Sequence, residues 1–104
     1  MSRTTQSFAP YGVLAAGYPK RVTIGASSDL PTLLAVAFSE NLVGLAIVPE
    51  NTVEVRIASG TASANTPLVP SGGIDFPITA TEASLLELYA ASTTYAMIMA
   101  FVPR

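Results

Sequence analysis

Seven carboxylates, Asp29, Glu40, Glu50, Glu54, Asp75, Glu82 and Glu87, hold most of the acid–base capacity of this 104-residue chain, which has no His, no Cys and no Trp. Without histidine the usual general base at neutral pH is missing, and none of the carboxylates stands in the spacing of a catalytic pair. Glu54 beside Arg56 reads as a solvated strand face. Asp75 follows Gly72-Gly73, but a Ca²⁺ site needs several oxygen ligands and no Asp-x-Asp pattern occurs, so a turn carboxylate is the reading. Gly72-Gly73 lacks the Gly-x-x-x-x-Gly-Lys of a phosphate loop and reads as a bend. Serines and threonines abound, yet the single lysine, Lys20, is far in sequence from any nucleophile motif and nothing else would activate a hydroxyl. An enzyme built on Asp75 or Glu87 would need a partner for a perturbed carboxylate, and the sequence supplies none. The expectation is a protein that is not an enzyme and takes no cofactor or metal.

A chain with so little reactive chemistry must act through its surface, and composition bounds that surface. Half of the residues are hydrophobic and only 12% are charged, well under the roughly 25% of soluble domains. Some apolar surface is therefore expected to meet another subunit. Five scattered basic residues and a net charge of −2 make no footprint for a nucleic-acid backbone. Lacking cysteine, the fold has to be held by packing and association. The opening Met-Ser-Arg-Thr-Thr-Gln-Ser is polar and does not read as a secretory signal, so synthesis in the cytoplasm is expected. Ser39-Glu40-Asn41 and Pro49-Glu50-Asn51 interrupt the apolar runs before the roughly 18 residues of a membrane-spanning helix. No membrane partner is expected.

Strand periodicity dominates what remains. Thr52 to Ala58 alternates strictly, with Val53, Val55 and Ile57 on a core side and Glu54 and Arg56 toward water. Lys20 to Gly25 alternates in the same way. Leu33 to Phe38 and Leu45 to Val48 are short apolar runs that fit a hairpin of two buried strands. A helix over Leu30 to Glu40 is the alternative, capped by Asp29 or Ser28 with Pro31 in its first turn. Pro49-Glu50-Asn51 is expected to turn the chain into the 52–58 strand as a second hairpin, and Ala58 to Gly73 to form a long surface loop. Ile74, Phe76 and Ile78 alternate next, with Pro77 favouring an edge or a bulge. Thr81 to Ser84 reads as one helical turn before a strand carrying Leu86, Leu88 and Ala90; a helix over Thr81 to Ala91, capped by Thr81, is the rival. Ala91 to Thr94 then turns the chain into Tyr95 to Val102, the most apolar run. The fold class is all-β, an antiparallel β-sandwich or jelly-roll-like barrel with room for one short helix, comprising an extended arm over 1–10 and one domain over 11–104.

Contact residues follow from that outline. A strand apolar on both faces is central in a sandwich or buried at an interface. Met97 and Met99 share one face of the last strand and suit an adaptable contact, with Tyr95 and Phe101 in the same run. Tyr89 and the arm's Phe8 and Tyr11 complete the candidates. Tyrosines could also form a sugar platform, with Tyr89, Tyr95, Asn65 and Asp75 as its members.

The stretch Val48 to Ile57, then Gly72-Gly73-Ile74-Asp75-Phe76-Pro77-Ile78, then Leu86-Glu87-Leu88-Tyr89-Ala90 before a terminal apolar strand resembles small tailed-phage virion proteins. In particular it resembles head decoration, or cement, proteins and related β-rich spike and fibre modules, over roughly the C-terminal half and by pattern. The resemblance implies a β-sandwich or jelly-roll subunit that braces a phage head as a homotrimer, against the major capsid protein or another virion protein. It also implies that the arm from Ser2 to Tyr11 reaches a neighbouring subunit. A carbohydrate-binding or host-attachment module is the alternative.

Overall fold

The computed structural model describes residues 12–104; the expected arm over 1–10, with Phe8, and Tyr11 lie outside the described residues. Eight strands and two short helices follow in the order β1 Val13–Leu14, β2 Lys20–Ile24, β3 Ser28–Asp29, α1 Leu30–Leu34, β4 Gly44–Pro49, β5 Arg56–Ser59, β6 Ile74–Pro77, α2 Ala80–Ala83, β7 Leu86–Tyr89 and β8 Thr94–Val102. They build two antiparallel sheets. The larger runs β1-β8-β4-β6 with β2 also paired to β8, and the smaller runs β3-β7-β5. The nine-residue β8 is the spine, taking β4 along one side and β1 and β2 in succession along the other.

From β2 onward the chain changes sheet at every connection, so no described strand pairs with its neighbour in sequence. Read as β2-β8-β4-β6 over β3-β7-β5, this is the order of a jelly roll. Its missing edge strand is reduced to the bridge Arg56↔Leu68 beside β5. The all-β sandwich expected from periodicity is the fold observed.

Alternation explains the core. Cross-strand partners share a face, and the inner face of the larger sheet carries Val22 and Ile24 from β2, Leu45 and Ile47 from β4, and Ala96, Ile98 and Ala100 from β8. Leu86 and Leu88 of β7 meet them from the smaller sheet, with Val55 and Leu30 filling between. Ile24, Leu30, Leu45, Ile47, Leu88 and Ile98 are fully enclosed, and such a side chain contributes roughly 1.5–3 kcal/mol by leaving water.

Several connections differ from expectation. Leu33 to Phe38 is not a strand: Leu30–Leu34 is helical, with the Asp29 carboxylate accepting from Thr32 N at 2.8 Å. This is the alternative helix with its expected cap and proline, but it stops at Leu34 because Ala35 turns left-handed at φ 61°. The second hairpin is also absent. β4 is already paired on both edges, by β8 and β6, so the chain after Pro49 has no free edge to return to and crosses to the smaller sheet. Val55 is buried and Glu54 exposed as the alternation predicts, but ladder pairing begins only at Arg56.

The 60–73 connection is tied down rather than free. Ile57 N donates to Pro67 O at 2.9 Å, Val69 N to Val55 O at 2.8 Å, and Arg56 Nη1 to Thr66 O at 2.9 Å. Pro77 ends β6 on the sheet edge, where its missing N–H costs no ladder bond. The helical turn near Thr81 is capped by Thr79 in a capping box with Glu82 and ends at Ala83, which overturns the rival helix over Thr81 to Ala91. Finally, β7 and β8 belong to different sheets, so the 91–93 turn is a crossing between layers and closes no hairpin.

Candidate partner-contact face

Because β8 buries Thr94, Ala96, Ile98 and Ala100 on its inner side, Tyr95, Met97, Met99 and Phe101 stand together on the outer side. The registers identify their neighbours. Thr23 faces Tyr95, Arg21 and Val48 flank Met97, Ala46 faces Met99, and Leu14 and Gly44 flank Phe101. One strand further out, Asp75 and Pro77 of β6 continue the rows of Ala46 and Gly44. Met97, Met99, Tyr95 and Val48 are half-buried and Leu14 is 43% exposed, whereas Phe101 is only 4% exposed. The sequence therefore placed four of its candidates on one surface, and three of them remain accessible there.

Charge is confined to the margins of this surface. Arg21 lays its guanidinium over the Tyr95 ring, Cζ to centroid 3.9 Å, and donates through Nε to both Glu50 carboxylate oxygens at 3.0 and 3.1 Å. Glu50 N in turn donates to Tyr95 O at 3.0 Å, extending the β4–β8 ladder by one bond. Ion pair and cation–π contact together hold a tyrosine at the edge of a methionine strip. Long, unbranched Met side chains adapt to whatever shape is set against them.

The other candidates lie elsewhere. Tyr89 is on the outward face of the smaller sheet, opposite Arg56, across the sandwich from Tyr95. Asn65 belongs to the connection that folds back on that smaller sheet, while Asp75 is on the larger one. Tyr89 and Tyr95 thus share no platform for one sugar. Glu87, considered as an acid, is a structural acceptor: the Ser27 hydroxyl donates to its carboxylate, and Ala62 N donates to Ser27 Oγ at 3.1 Å and to Glu87 Oε1 at 3.3 Å. That clasp holds the long connection against the smaller sheet, and no local pattern around residue 27 announces it. Asp29 is occupied as a helix cap, its carboxyl held below the ordinary range by hydrogen bonds from the Thr32 side chain and backbone. Among the described residues no three His, Cys, Asp or Glu side chains gather where a metal could sit, and no helix is long and apolar enough to cross a membrane.

Comparison with protein-family models, curated proteins and solved structures finds no match to this chain.

Proposed function

We propose that this chain is a structural assembly protein, not an enzyme, that works through protein–protein contacts on the outward face of its larger sheet. The carrying observation is the strip of Met97, Met99, Val48 and Leu14 on that face, with the Arg21–Tyr95 stack at its margin. Methionine, tyrosine and arginine at a surface with few charges form the composition of interface centres, and an antiparallel sheet facing only water alternates to polar residues there instead.

In this reading the chain is a capsid decoration, or cement, subunit of a tailed-phage virion, a homotrimer set against the major capsid protein. The likeness of its C-terminal half to such proteins supports that setting, and jelly rolls serve capsid and lectin domains alike. The test is absolute mass by light scattering over a dilution series, followed by binding to phage heads stripped of decoration. A stable species near three times 10.8 kDa that binds heads, and a Met97→Asp variant that does neither, are expected. A wild-type monomer that leaves heads unoccupied would sink the proposal.

A further inference from the structure

A cleft of about 720 Å³ opens between the turn joining β1 to β2 and the segment after α1. Phe38, Leu42, Ala100 and Val102 contribute its apolar walls. Ser39, Asn41 and Arg104 also line it, and two further polar groups bear on what it could hold.

The first is Lys20. Its register opposite Ile98 puts it on the inner face of β2, in one row with the buried Val22 and Ile24. No ion pair holds it among the described residues, whereas Arg21 and Arg56 are matched by Glu50 and Glu54. Among the described residues no carboxylate side chain lines the cleft either; Glu40, between the lining residues Ser39 and Asn41, is exposed and outside it. The second is Tyr18, whose hydroxyl is sealed from solvent without a hydrogen-bond partner and whose ring centre lies 5.8 Å from Lys20 Nζ. Burial pushes the Tyr18 phenol above its ordinary value, so it stays a donor at neutral pH. A buried donor without an acceptor is destabilising.

We infer that this cleft binds an amphipathic anion, a carboxylate with a hydrocarbon body, with Lys20 and Tyr18 on the carboxylate and the Phe38, Leu42 and Val102 side chains on the body. Charge complementarity selects the anion: among the described residues the lining supplies the cationic side chains of Lys20 and Arg104 and the Tyr18 donor, and no acidic side chain. The inference is independent of the contact face, which lies on the other side of the same sheet.

Octanoate and 1-octanol share a hydrocarbon chain and differ in charge, so titrating both, followed by amide resonances, tests this on the intact protein. Octanoate is expected to shift Gly17, Ser39 and Val102 saturably and to bind about tenfold more tightly than 1-octanol, the size of one charge-assisted contact. Lys20→Met is expected to reduce octanoate to the affinity of 1-octanol. Tyr18→Phe should weaken octanoate while leaving thermal stability equal or higher, which a merely structural hydroxyl would not do. Saturation by neither probe, equal affinity for both, or wild-type octanoate binding by Lys20→Met would overturn the inference. In those cases Lys20 acts only as an inward charge guarding the edge strand β2 against pairing with other chains.

Discussion

Arg21 stacks on Tyr95 although the two are not cross-strand partners: Arg21 is in register with Met97, and Tyr95 with Thr23. The contact is a diagonal one, within reach of long side chains on a twisted antiparallel pair. It occupies one face of the ring, while Glu50, just past the end of β4, fixes the guanidinium. A patch held in this way before a partner arrives loses less side-chain freedom on binding.

Replacing Tyr95 by Ala removes that stack and leaves Arg21, whose side chain is 57% exposed, held by Glu50 alone. Stability measured by urea unfolding should fall by only about 1 kcal/mol. Self-association measured by light scattering should weaken by more than the same energy predicts, if Tyr95 is a contact residue.

Met97→Asp separates fold from assembly. The new carboxylate would sit opposite Arg21 on an outward, half-buried position of a central strand, so the folded subunit should lose about 1 kcal/mol. Sedimentation or light scattering should nevertheless show a monomer, since a charge is then carried into an apolar contact. Unchanged association with intact stability would place the interface elsewhere.

Gly73 has φ +92°, and a Cβ there would come within 2.8 Å of Val48 Cγ2 and 3.0 Å of Ile47 O. Gly73→Ala combines a left-handed backbone cost with a clash against a paired strand, and should destabilise by about 2–4 kcal/mol. Chemical denaturation reads this directly as a lower midpoint at unchanged m-value.

Ile98 is fully buried at the centre of β8. Ile98→Ala is expected to cost about 2–5 kcal/mol, the range for deleting a large core side chain. A loss under 1 kcal/mol, on the same scale, would show that the core between the sheets is looser than described.

Acid stability should report on Asp29. Its folded carboxyl titrates below the ordinary 3.8, owing to hydrogen bonds from Thr32. The stabilisation is therefore complete above that ordinary value and is lost as pH falls through the lower folded one. Asp29→Asn keeps a capping acceptor without the charge, so its melting temperature should depend less on pH over the acid range than that of the wild type. Parallel melting curves from neutral to acid pH make the comparison, and identical slopes would remove Asp29 as a source.

What the sequence determined by itself was local. Alternation around Val22 and Leu88 is a property of consecutive residues, and it identified strands and their core sides before any partner strand was known, whereas the run over Tyr95 to Val102, apolar on both faces, put Met97 and Met99 on one face without deciding which face is inward. Asp29 and Pro31 carried the start of α1 in the same way. The tertiary structure decided everything that depends on which edge is free. Hairpins were expected after Pro49 and after Ala91, because short turns commonly join paired strands, but β4 and β8 are each filled on both edges by strands distant in sequence. The chain therefore had to change layers, and that same choice set Tyr89 and Tyr95 on opposite faces, clasped Ser27 to Glu87 across 60 residues, and left Lys20 on the inner face of β2 beside the cleft. No window of neighbouring residues contains such facts, since they arise from competition among strands for a limited number of sheet edges.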